Sequence, residues 1–126
     1  MELIIGGSFQ GKRDFALRKF PARVFADAET ADLEALTKAE GILYFEKAVR
    51  RLMEAGEDPM RFTEKLIADS PDAVIVSTEI GYGIVPLDAF EREYREAVGR
   101  ACTRLASFSS CVTRVVCGMG MEIKHR

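Results

Sequence analysis

The chain has 126 residues, 48% of them hydrophobic and 30% charged, as expected of one ordinary globular domain, residues 1–126, with enough apolar material for a real core. Its formal net charge of −2 gives no electrostatic reason to expect nucleic acid or an anionic membrane as a partner. The opening Met1-Glu2-Leu3-Ile4-Ile5-Gly6-Gly7 has too few apolar residues for a signal peptide or a membrane span, and Cys102, Cys111 and Cys117, set among apolar neighbours, read as buried free thiols in a reducing cytoplasm.

In chain order, Leu3-Ile4-Ile5 is a short apolar run closed by glycines, and Lys12 to Phe20 reads as a helix stopped by Pro21. Arg23 to Ala26 is a second strand, and Ala31 to Ala39 a helical stretch. After Gly41, Ile42-Leu43-Tyr44-Phe45 reads as a third strand. Helical spacing returns at Ala48, Val49, Leu52 and Met53, breaks at Gly56 and Pro59, and resumes at Phe62, Leu66 and Ile67. Ala73 to Val76 is a fourth strand, and a long helix runs from about Leu87 to Phe108. Val112 to Val116 and Met121 to Lys124 flank a Gly118-Met119-Gly120 turn, which predicts a C-terminal β-hairpin. Short apolar strands alternating with helices predict an α/β sandwich whose central sheet is mainly parallel and covered on both faces.

Gly6-Gly7-Ser8-Phe9-Gln10-Gly11-Lys12 fits the G-x-x-x-x-G-K pattern and lies directly after a strand, opening a helix. Glycines let the backbone curl so that its N–H groups converge on phosphate oxygens, the helix N-terminus adds partial positive charge, and Lys12 reaches the outer phosphates. The competing reading is a glycine-rich turn with a chance lysine. Arg13 stands where a Ser or Thr hydroxyl would ligate Mg²⁺; a guanidinium cannot, and either binds phosphate itself or points into solvent. Acids collect at the strand ends: Asp27 after the second, Glu46 after the third, Glu79 after the fourth. Ligands of open α/β sheets sit outside the carboxyl ends of strands, so these acids are expected to face the loop. Glu46 has the form of an acid that holds Mg²⁺ through water; the plainer readings are a cap for Asp27 and a first-turn helix-dipole partner for Glu46. Ser8 excludes the dinucleotide fingerprint, which needs glycine there.

The stretch Thr78-Glu79-Ile80-Gly81-Tyr82-Gly83-Ile84-Val85-Pro86, with Gly99-Arg100, Arg104-Leu105-Ala106 and Val115 to Lys124, resembles the adenosylcobinamide kinase / adenosylcobinamide-phosphate guanylyltransferase family of cobalamin biosynthesis. The similarity is close from about Val74 to Lys124, has a second anchor in the glycine loop, and is loose from Asp27 to Asp72. It implies a RecA-like P-loop fold, a three-layer sandwich. It also implies a purine nucleoside triphosphate, ATP or GTP, as phosphoryl donor, a cobinamide-like alcohol as acceptor, and a trimer. Gly6 to Arg13 would then hold the triphosphate, Glu46 would position any Mg²⁺, and Glu79 would orient the acceptor hydroxyl.

The departures bear on activity. The chain is shorter than the family after its second strand, where the family has its nucleotidylated histidine, and the sole histidine is His125, read as a frayed, exposed tail. Thr78 and Cys102 replace family asparagines. The guanylyl-histidine step is expected to be lost, whereas a kinase step needs only positioning and charge neutralisation. Two readings stay open: a reduced kinase, or a non-catalytic nucleotide- or corrinoid-binding relative serving as regulator or carrier.

Overall fold

The computed structural model describes residues 1–80 and 88–126. Its elements are β1 (Glu2–Gly6), α1 (Lys12–Lys19), β2 (Phe25–Asp27), α2 (Leu33–Leu36), β3 (Gly41–Leu43), α3 (Phe45–Glu54), α4 (Pro59–Asp69), β4 (Val74–Thr78), α5 (Ala89–Phe108), β5 (Cys111–Val116) and β6 (Met119–His125). Residues 81–86 of the family-like segment, and the expected helix start at Leu87, lie outside the described residues.

One sheet, ordered β2-β3-β4-β1-β5-β6, is parallel except for the β5–β6 pair. This is the expected α/β P-loop architecture with its C-terminal hairpin. Successive strand residues face opposite ways. Ile4, Leu43, Val74, Val76 and Val115 pack under Ala16 of α1. Leu3, Ile42, Ile75 and Val112 turn to the other face, beneath Phe45, Val49, Leu66, Val98 and Leu105 of α3, α4 and α5. Three layers result. The crossover after β1 leaves by one face and the crossover from β4 to β5 by the other, so the carboxyl ends of β1 and β4 border an open crevice.

Several boundaries differ from the sequence reading: β2 is Phe25–Asp27 instead of Arg23–Ala26, and the hairpin turn is Cys117-Gly118, with Met119 and Gly120 already in β6. β3 stops at Leu43, because Tyr44 adopts a left-handed conformation (φ 58°) and Phe45 begins α3. The i, i+3, i+4, i+7 set Phe45, Ala48, Val49, Leu52 is a helical stripe, and the apolar run 42–45 concealed where it began. α2 is a single turn capped by Asp32, after which the N–H groups of Lys38 and Ala39 bond three residues back and tighten the chain. Pro59 starts α4 at its first position behind the Asp58 cap instead of interrupting a helix. His125 is exposed but not frayed, pairing with Cys111 at the end of β6.

The cysteines are all free, yet only Cys111 is fully buried. Cys102 is half-buried, and Cys117 is exposed in the hairpin turn, where it and Gly118 both have positive φ (51° and 76°), as a tight two-residue turn requires. None of the described helices is long and apolar enough to cross a membrane.

Phe45 is fully buried where α3 meets the sheet. Phe45→Ala is therefore expected to lower stability by about 3–5 kcal/mol. Urea unfolding measures this; a loss below about 1 kcal/mol would show that Phe45 is not a core residue.

Candidate functional site

β1 runs into the glycine loop at Gly6, where any Cβ would lie 2.8 Å from the Val115 carbonyl oxygen, so only glycine fits beside β5. Gly11 precedes α1 in a left-handed conformation (φ 81°), and Lys12 is the first helical residue. The loop tip is held from outside. The Gln10 side-chain Oε1 accepts the Cys117 N–H, and the Gln10 carbonyl accepts the Gly118 N–H, each at 2.7 Å.

Lys12 is only 7% exposed, and its Nζ donates to the Gly7 carbonyl at 3.3 Å across the loop. Burial pushes its pKa below that of a free lysine, while the negative charges of Glu46 and Glu79 act to raise it. Glu46 lies in the first turn of α3, not at a strand end, and is buried. Its Oε1 accepts the Thr78 backbone N–H at 2.9 Å, tying α3 to the end of β4.

A cleft of about 570 Å³ opens over this loop. On one side stand Ser8, Phe9, Gly11, Lys12, Arg13 and Asp14; across it are Tyr44, Glu46, Lys47, Arg50 and Tyr94, with Thr78 and Ile80 between. Four cationic side chains, Lys12, Arg13, Lys47 and Arg50, thus meet two carboxylates, Asp14 and Glu46, in a chain of net charge −2. Such a local excess suits a polyanion. Arg13 is exposed and lines the cleft. Arg50 is fixed by Glu91, at 2.7 and 2.9 Å from Nη2, and stacks on the Tyr94 ring at 4.3 Å. Tyr94 donates its hydroxyl to the Glu46 carbonyl at 2.9 Å; burial, assisted by the Glu46 charge and partly opposed by Arg50, pushes its pKa up to about 12.

The other two acids lie elsewhere. Asp27 ends β2, its Oδ1 accepting the Glu29 N–H at 2.8 Å, and does not line the cleft. Glu79 donates its N–H to the Gly6 carbonyl at 2.7 Å, and its carboxylate takes the Arg114 Nε at 3.0 Å. That ion pair borders a second cavity of about 320 Å³ against α5, where Thr78 and Ile80 also line the wall. Cys102 lines the same cavity, and burial pushes its thiol up to about 11, which leaves it un-ionised and a weak nucleophile. Sequence reasoning had not singled out Tyr44, Lys47, Arg50, Tyr94 or Arg114. The i, i+3 spacing of Lys47 and Arg50 beside Glu46 is the one local signal of a charged α3 face.

The family model described as cobinamide kinase / cobinamide phosphate guanyltransferase matches residues 25–123. The chain belongs to that family. Among similar curated proteins are the bifunctional adenosylcobalamin biosynthesis protein CobU of Salmonella typhimurium, 43% identical over 51 residues, and that of Escherichia coli, 41% identical over 51 residues. Each alignment covers 40% of this chain and only 28% of the relative. The family match begins at residue 25, beyond the glycine loop, so the loop stands on its own geometry.

The depressed Lys12 pKa sets a pH dependence with a definite sign. Lys12 sheds its proton at lower pH than a free lysine, whereas arginine stays charged, so anion affinity is expected to fall as pH rises through that lowered range. In Glu46→Gln the fall should begin at still lower pH, since one charge that raises Lys12 has gone. Calorimetric titration with tripolyphosphate from about pH 7 to 10.5 checks both; an unshifted curve in the variant would refute the Glu46–Lys12 coupling.

Proposed function

We propose that the Gly6–Lys12 loop binds the phosphates of a purine nucleoside triphosphate, and that the chain acts as a kinase toward a cobinamide-like alcohol. The observation that carries the reading is Lys12, a nearly buried ammonium at the start of α1, facing a cation-lined cleft. A lysine held out of water beside a helix N-terminus is costly, and the Gly7 carbonyl and the charges of Glu46 and Glu79 offset that cost only in part, since its pKa remains lowered. An incoming polyanion offsets the remainder.

In this reading the acceptor oxygen bonds to the terminal phosphorus, the bond to the bridging oxygen breaks, and the nucleoside diphosphate leaves with the electron pair. Lys12 and the loop N–H groups neutralise the phosphates, and Arg50 adds a fixed guanidinium on the far wall. Glu79 takes the hydroxyl proton from the side of the second cavity, which requires it to share or leave Arg114. The residues fit a directly held Mg²⁺ poorly. Arg13 has no lone pair to give, Glu46 Oε1 already accepts an amide N–H, and no cluster of three or more metal-binding side chains occurs among the described residues. A Mg²⁺ bound with the nucleotide would shield phosphate charge, and in this reading Glu46 would hold it through water. The family's guanylyl transfer through a protein histidine is not proposed for this chain, because its one histidine, His125, lies in β6, outside the cleft.

A second reading, a non-catalytic nucleotide- or corrinoid-binding regulator or carrier, draws on two observations: Arg13 at the metal-ligand position and Glu79 engaged by Arg114. Turnover of ATP or GTP with cobinamide separates the two. The kinase reading expects phosphorylated product; binding without turnover leaves the carrier.

Lys12→Ala removes a charge-assisted contact worth about 1.5–3 kcal/mol. Triphosphate affinity should drop at least tenfold by calorimetry, and an unchanged dissociation constant would sink the assignment. Metal dependence should be modest, since Mg²⁺ beside Arg13 costs on the order of 1–4 kcal/mol in Coulomb repulsion, depending on screening. Arg13→Ser is expected to strengthen triphosphate binding only when Mg²⁺ is present. A tenfold Mg²⁺ enhancement already present in the unmodified protein would contradict this.

A further inference from the structure

Phe9 occupies the loop in a way that neither the backbone nor the core explains. Its φ of 62° lies in the left-handed region, which glycine adopts freely and an aromatic residue rarely does. Its side chain is 102% exposed, so the ring makes no contribution to the apolar core. Other large apolar residues are exposed on this chain, but Leu17, Val24, Met119, Met121 and Ile123 do not line the loop cleft, and Phe9 does. Across that cleft stand two further rings, Tyr44 and Tyr94. The tip that carries Phe9 is held still by the two Gln10 hydrogen bonds to the hairpin turn, so the ring is presented from a fixed support.

We propose that Phe9 is a positioning residue that stacks on the planar conjugated ring of the ligand whose phosphates, or whose accepting hydroxyl, sit at the loop. The inference rests on the reading of Gly6–Lys12 as a phosphate site and adds what selects the ligand there. A phosphate loop alone binds any polyphosphate. An exposed aromatic face beside it favours a molecule that also carries a flat π-system, because stacking takes both apolar faces out of water. Two ligand parts have that chemistry: the nucleobase of the triphosphate and the conjugated macrocycle of a cobinamide-like acceptor.

The chain contains no tryptophan, so Phe9→Trp places a single indole reporter at the loop. Three ligands separate the sources: tripolyphosphate, which has no ring; ATP; and cobinamide. Phe9→Ala, which keeps a side chain at the same backbone conformation, should bind a ring-bearing ligand about tenfold more weakly and tripolyphosphate as before. Phe9→Trp should retain affinity, and its emission, corrected for absorption by the ligand, should change with the ligand that stacks. A response to ATP alone assigns the nucleobase, a response to cobinamide alone assigns the acceptor, and a response to both supports stacking on each. Equal weakening of all three ligands in Phe9→Ala would overturn the proposal, because the residue would then only shape the loop; so would no weakening at all, or indole emission indifferent to both ring ligands. Lys12→Ala measured alongside keeps the failures apart. If it too leaves tripolyphosphate affinity unchanged, the phosphate-loop reading has failed and not merely the role of Phe9.

Discussion

The ammonium of Lys12 is held where elementary electrostatics disfavours it. It is withdrawn from water, and it stands at the first turn of α1, where the helix already presents partial positive charge. Two carboxylates offset these costs: Glu46, anchored to the end of β4, and Glu79, fixed beside Gly6 by its backbone. Glu46 comes from the first turn of α3 and Glu79 from just beyond β4, and both bear on the same ammonium. The central place of β1, between β4 and β5, is what makes that possible. The cost of holding the ammonium there is thus met from several parts of the fold at once.

The walls of the cleft follow from the same arrangement. The left-handed turn at Tyr44 brings α3 in immediately after β3, which puts Glu46, Lys47 and Arg50 opposite the loop. Arg50 stays there because Glu91 and Tyr94, both on α5, clamp it from behind. On the other side the β5–β6 turn grips Gln10, and Gly120 leaves room for Phe15 of α1, where a Cβ would come within 2.4 Å of the ring. Glycine loop, α3, α5 and hairpin are therefore joined by a small number of named contacts.

The family match and the loop carry different parts of the argument. Residues 25–123 tie the chain to cobinamide kinase / cobinamide phosphate guanyltransferase, whereas Phe9, Gln10, Lys12 and Arg13 all precede that region. Arg13 places a permanent positive charge where a metal would need a lone pair, and Phe9 places an aromatic face where the backbone calls for glycine.

By itself the sequence determined the α/β class, the parallel sheet, the C-terminal hairpin and the glycine loop between β1 and α1, because each rests on local periodicity or on turn chemistry within a few residues. It also offered the plain reading of Glu46 as a first-turn helix residue, whereas Asp27, read as a helix cap, closes a turn and α2 is capped by Asp32. It could not fix where β3 ended, since an apolar run of four suits a buried strand and a helix start equally well until a neighbour claims Phe45. Nor could it show that Glu79 would pair with Arg114, 35 residues away, or that Tyr94 would meet Glu46 from 48 residues away. Those contacts are set by strand order and by which face each crossover takes. Only the tertiary structure decided them, because charge and hydrogen bonding act through distance in space and not along the chain.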